Sequence, residues 1–140
     1  MRYPRKRQSI LYVILSEGVT MSEPRYFASD EKYEVELNRL RSLEGVYDPT
    51  TIRHLEMIRV SEGWNCLEVG AGAGSVAQWL SIHVGPTGKV VATDIDPRFL
   101  RRISFPNLEI RQHDILKDDL EKGQYDLEIF MHPLKRFQLQ

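Results

Sequence analysis

Six residues of this sequence have the types and spacing to do chemistry together. Gly70, Gly72 and Gly74 alternate within the stretch CLEVGAGAGSVAQWL, with the small Ala71 between the first two. Glu68 stands two residues before the first glycine, Asp94 twenty residues after the last, and Asp114 twenty residues beyond Asp94. Glycine has no Cβ, so a turn of this kind lets a ligand lie against the backbone at the carboxyl end of a strand. The three carboxylates then supply acceptors and negative charge around that ligand.

Charge discriminates between ligands. A dinucleotide-binding turn follows G-x-G-x-x-G/A, whereas here Ser75 occupies the third position of that pattern. A pyrophosphate gains nothing from a carboxylate at the strand mouth. S-adenosylmethionine, which carries an ammonium and a sulfonium, is attracted to Glu68 by charge and hydrogen bonding. The plainer reading of Glu68 is a strand-end residue pointing to solvent. Asp94 is placed to accept hydrogen bonds from both ribose hydroxyls, a role that fits NAD equally well. Asp96, in DIDP, reads as the cap of a helix beginning at Pro97. Asp114, in RQHDI, either accepts from an adenine amino group, with Ile95 and Ile115 sandwiching the ring, or caps the following turn. His113 reads as a polar edge residue. His54, His83 and His132 are scattered along the chain, so no metal site is expected.

The elements that must position these groups follow from periodicity. Ser29, Asp30 and Glu31 form a helix start, Tyr33, Leu37, Leu40 and Leu43 give its apolar stripe, and Gly45 is expected to stop it. Asp48-Pro49 then opens a second helix, with Ile52, Leu55 and Ile58 on its buried face. From there strands and helices alternate. NCLEVG is a strand; Val76, Trp79, Leu80 and His83 follow at helical spacing; GPTG turns into the strand KVVATD. NLEIRQ is a third strand, LKDDLEKG a short helix or turn, and YDLEIFM a fourth strand. Such alternation implies right-handed crossovers and a parallel sheet.

Composition sets the outer bounds. With 140 residues and 41% hydrophobic content the chain suits one small globular domain. The formal charge of −1 divides unevenly: four basic residues against Glu17 give +3 over residues 1–20, which leaves −4 for the rest. A mildly acidic folded part does not suggest nucleic-acid binding, and no window approaches the apolar length of a membrane span. Cys66 is the single cysteine, which excludes an internal disulfide, and its apolar neighbours suggest a buried small hydrophobe. Arg5-Lys6-Arg7 before ILYVIL has the order of a signal peptide, but the apolar run is too short and no small-residue cleavage site follows. Met21 reads as an alternative start, residues 1–20 as an extension that is disordered or strand-like, and a cytoplasmic location is expected.

With these residues in place, the chain resembles the class I S-adenosylmethionine-dependent methyltransferases. LEVGAGAG matches their first motif, VVATDIDP their second, and IRQHDI the acidic position after the third strand. The lead-in YDPTTIRHLEMIRVSEGWN is similar to that of a small-molecule methyltransferase group, and YDL at 125–127 to the opening of the family's fourth strand. The resemblance implies a Rossmann-like three-layer α/β/α fold with a mostly parallel sheet, its first four strands in the order 3-2-1-4, preceded by N-terminal helices. Residues 21–60 would be a helical lead-in, 61–130 the core and 131–140 an atypical tail. The family's sheet has seven strands, ordered 3-2-1-4-5-7-6, so the reading is of a truncated enzyme whose fourth strand is an open edge. That edge would suit a second copy or a complementing chain. The resemblance further implies that Glu68, Gly70, Ala71, Gly72, Gly74, Asp94, Ile95, Asp114 and Ile115 bind S-adenosylmethionine, and that a methyl group passes to a small-molecule acceptor. No catalytic base can be named; Tyr26, Tyr33 and Tyr47 are candidate substrate contacts without a spacing argument. A non-catalytic cofactor-binding remnant and an NAD(P)-dependent oxidoreductase are the alternatives.

Overall fold

A computed structural model describes residues 10–13, 30–114, 117–119 and 123–131. Its elements are strand β1 (Ile10–Val13), helix α1 (Asp30–Met57), β2 (Asn65–Val69), helix α2 (Ser75–Val84), β3 (Lys89–Asp94), a 3-10 turn at Leu100–Arg102, β4 (Leu108–Gln112) and β5 (Leu127–Phe130). The strands form one sheet in the order β1-β5-β2-β3-β4, and every neighbouring pair is parallel. The four strands expected from the sequence are β2, β3, β4 and β5, and they lie in the expected order 3-2-1-4. This is the Rossmann-like α/β arrangement.

Two expectations are corrected. The first concerns the edge of the fourth predicted strand, read as open, and residues 1–20, read as a disordered or strand-like extension. Ile10–Val13 instead pairs in parallel with β5, Ile10 opposite Leu127 and Val13 opposite Phe130. The edge of the fourth predicted strand is therefore taken up rather than open. Isoleucine, tyrosine and valine are strong strand formers, and an unpaired row of backbone groups on β5 is a ready template.

The second concerns the two predicted helices, which are one helix of 28 residues with Pro49 inside it. Proline removes one backbone donor and crowds the carbonyl four residues earlier, at a cost of about 3 kcal/mol. That carbonyl belongs to Gly45. Packing on both sides of the proline holds the helix together: Leu37, Thr51 and Leu55 are all buried. The Thr51 hydroxyl also donates to the Tyr47 carbonyl at 3.0 Å.

The strands alternate faces with period two. Leu67 and Val69 point to one side, where they pack with Val91, Tyr125 and Phe130. Cys66 points to the other, where Leu55 of α1 and Val76, Leu80 and Val84 of α2 meet Val90, Leu127 and Ile129. By the same alternation Glu68 lies on the helix-covered face. Its cross-strand neighbours are Ala92 and Ile129, so the sheet holds this carboxylate among apolar partners.

Candidate functional site

The glycine turn joins β2 to α2 and is tied to the end of β3. The backbone N–H groups of Gly70 and Ala71 both donate to the Thr93 carbonyl at 2.9 Å. The Gly72 N–H donates to Asp94 Oδ2 at 2.9 Å, and Asp94 Oδ1 accepts from the Asp96 N–H at 3.0 Å. Asp94 thus clamps the turn against the β3 exit. Gly72 has φ +59° and Gly74 φ +90°, both in the left-handed region that glycine tolerates best. A side chain at position 74 would collide with Ile103 Cδ1, 2.1 Å from an ideal Cβ. At position 72 an ideal Cβ would touch only Leu40 Cδ2, at 3.6 Å, so there the glycine is required by backbone conformation.

Gly74 also precedes α2 and offers no side-chain cap. The acceptor comes from elsewhere: Glu44 of α1 takes the Ser75 N–H on Oε1 at 3.2 Å. The long helix is therefore fastened to the turn through Glu44 near its middle as well as through Leu37, Ala73 and Phe99, which form a small core with Tyr33 and Leu40.

Glu68 is the residue that departs furthest from an ordinary strand residue. It is 1% exposed, and its Oε2 has no hydrogen-bond partner among the described residues. Burial pushes its carboxyl well above the usual carboxylate range, and the negative charges of Asp48, Asp94 and Glu44 push it further. The solvent-pointing alternative for Glu68 is thereby overturned, because Ala92, Ile129 and the helices cover the strand end. Glu44 and Asp48 are themselves raised, each chiefly by burial. Cys66, one turn of the pleat below, is fully buried, and its thiol is pushed up to about 12 by burial, then by Asp126 and Glu68.

The other predicted residues are distributed as follows. Ala71 is buried and Ile95 half-buried just beyond β3. Asp114 follows β4; its N–H donates to Asp118 Oδ2 at 2.8 Å, its carbonyl accepts from Asp118 N at 2.7 Å, and its carboxylate lies 4.0 Å from Lys117 Nζ. The Asp118 carboxylate thus caps the Asp114 N–H. Ile115, Tyr26, Ser29 and His132 lie outside the described residues. Asp96 accepts the Arg98 N–H at 3.3 Å and grips the Arg98 guanidinium at 2.8 and 2.7 Å; it organises the turn ahead of the 3-10 segment, and no full helix starts at Pro97. Tyr33 stacks on Phe99 at 4.7 Å, with Arg98 over both rings, which makes it a packing residue. Both ring nitrogens of His113 are buried without a partner among the described residues. His83 is exposed and stacks on Trp79. No group of three His, Cys, Asp or Glu among the described residues is arranged to hold a metal ion, and no described helix is long and apolar enough to cross a membrane.

The structure brings the glycine turn, Glu68 and Asp94 together at the carboxyl ends of β2 and β3, with β4 and Asp114 on the next strand over. Sequence reasoning missed Glu44 and Asp48. The signal was there: Leu37, Leu40, Glu44, Asp48, Thr51 and Leu55 follow one another at steps of three and four, so two carboxylates occupy positions on the buried stripe of α1.

Comparison with known proteins decides the family. A family model described as "Methyltransferase domain" matches residues 67–138, just over half of the chain. The chain belongs to this methyltransferase-domain family. The matched region runs from the middle of β2 through the segment read as an atypical tail. Among solved structures, a SAM-dependent methyltransferase from Aquifex aeolicus aligns with a TM-score of 0.53 at 24% identity, covering 67% of this chain and 55% of that one. A protein-L-isoaspartate O-methyltransferase aligns with a TM-score of 0.45 at 26% identity over 54% of this chain and 26% of its own. The first supports the fold; this chain spans little more than half of it. No curated protein matches.

Proposed function

We propose that this domain binds S-adenosylmethionine across the carboxyl ends of β2 and β3 and serves methyl transfer to a small-molecule acceptor. The observation that carries the reading is the buried, unpartnered Glu68 Oε2 beside a positive-φ glycine turn. An acceptor orphaned in this way costs free energy unless a donor arrives, and a cationic donor is repaid best. The ligand's ammonium is such a donor, whereas a pyrophosphate would bring negative charge to a carboxylate cluster. Asp94, held at the β3 exit by the Gly72 and Asp96 N–H groups, would accept from the ribose hydroxyls. The turn would pass beneath the amino-acid portion, and Ile95 and Asp114 would flank the adenine.

When bound, S-adenosylmethionine supplies an electrophilic methyl group on a sulfonium. The described residues contribute binding and orientation, since holding a reacting pair in line is itself a large part of such catalysis. A direct test is titration calorimetry of the chain with S-adenosylmethionine and, separately, with NAD. Saturable binding of the first and none of the second is the expected result. Binding of NAD alone would transfer the site to the oxidoreductase reading.

A further inference from the structure

α1 brings carboxylates to a place where the fold already buries one. Glu44 and Asp48 stand one helical turn apart on the stripe that faces the sheet, and their charges, with that of Asp94 from β3, bear on Glu68. From β2 itself the facing group is the neutral Cys66 thiol, from β5 the apolar Ile129, and from α2 the Ser75 hydroxyl. Arg41 is the cation that acts on Glu44. No cation acts on Glu68 among the described residues. A fully ionised cluster would be costly in this setting, so the ligand-free protein keeps a proton on it. The orphaned Glu68 Oε2 marks where that proton, or a cation replacing it, sits.

We propose that Glu44 and Asp48 complete, with Glu68, a single subsite for the ammonium group of the ligand, and that filling it expels one proton to solvent. The balance is simple. A carboxylic acid and an ammonium become a hydrogen-bonded carboxylate–ammonium pair, and the acid's proton goes to buffer. No covalent bond to carbon or sulfur changes. The proposal rests on the S-adenosylmethionine reading above and adds to it α1 as part of the binding surface and a linkage between binding and pH.

Calorimetry in two buffers of different ionisation heat counts the protons, from about pH 5 to about pH 8. S-adenosylmethionine and S-adenosylhomocysteine, which both carry the ammonium, should release close to one proton and bind up to about tenfold more tightly per pH unit while the acid is protonated. Methylthioadenosine, which has the nucleoside without the ammonium, should release none. Glu68→Gln should abolish the release and weaken S-adenosylmethionine at least about tenfold, while methylthioadenosine binding is unchanged. In the double variant Glu44→Gln/Asp48→Asn, whose amide oxygens can keep the contacts to Ser75, the release should move to lower pH and S-adenosylmethionine should bind several-fold more weakly, again with methylthioadenosine unaffected. Saturable binding of S-adenosylmethionine without proton release at any pH would overturn the proposal, as would a double variant whose pH profile matches the wild type. Failure of the folded wild-type protein to bind S-adenosylmethionine at all would instead overturn the cofactor reading, and this inference with it.

Discussion

Replacing Asp94 by alanine should damage the fold before any ligand is considered. Its carboxylate receives two backbone N–H groups, from Gly72 at 2.9 Å and Asp96 at 3.0 Å, and so ties the glycine turn to the β3 exit. Hydrogen bonds to a charged acceptor contribute about 1.5–3 kcal/mol each. The side chain is half-buried, and water would reach the two donors in the variant, so the low end applies and the pair is worth about 3 kcal/mol. A small gain offsets this, because the Asp94 charge also opposes ionisation of Glu68. For a chain of this size, 1 kcal/mol moves the midpoint by about 3–4 °C, which predicts a fall of about 10 °C in a circular-dichroism melt without ligand. Asp94→Asn, which keeps one acceptor, should lose about half as much. A melt of Asp94→Ala within about 2 °C of the wild type would refute the argument and leave Asp94 as a ligand contact alone.

Three further expectations follow. Gly74→Ala places a methyl 2.1 Å from Ile103 Cδ1 at φ +90° and should cost about 2–4 kcal/mol in urea unfolding, whereas Gly45→Ala, in open space within α1, should gain about 0.5–1 kcal/mol; equal effects would contradict the assigned turn geometry. Burial holds the Glu68 carboxyl of the folded state well above the usual carboxylate range, so the folded state keeps its proton after the unfolded chain has lost it, and stability must fall as pH rises above the unfolded value. Glu68→Gln should remove that decline and be more stable than the wild type at neutral pH without ligand, as seen in unfolding curves at acid and neutral pH; an unchanged pH slope would count against a buried acid. Cys66, with its thiol at about 12 and no exposure, should react with a thiol reagent only on unfolding, and rapid labelling of the native chain would show that β2 is not covered as described.

Much of this architecture was legible because its signals are local. KVVATD, NLEIRQ and the strand before the glycines carry β-branched residues between turn residues, and the observed β3, β4 and β2 fall within one residue of those segments. Asp94 was found by its distance from the glycines, although its hold on the turn depends on backbone N–H directions that spacing does not reveal. Gly45 and Pro49 misled because each is punctuation in isolation, whereas packing by Leu37 and Leu55 carries the helix across them. Glu44 was passed over because a polar residue on an apolar stripe looks like its end, and Asp48 was read as the cap of a second helix because Pro49 follows it, whereas both lie inside α1. ILYV was readable as strand-like, but its place in the sheet was not, because its partner strand lies 117 residues later (127 − 10), and no local pattern announces so distant a pairing.

Whether the carboxylates around the glycine turn hold S-adenosylmethionine is decided by a crystal structure of the chain with S-adenosylhomocysteine. The ligand's ammonium is expected against Glu68, its ribose on Asp94 and its backbone contacts along Gly70, Gly72 and Gly74. A ligand bound instead at the opposite ends of the strands, in the shallow depression lined by Pro86, Phe105 and Pro106, with Glu68 still unpartnered, would contradict this expectation.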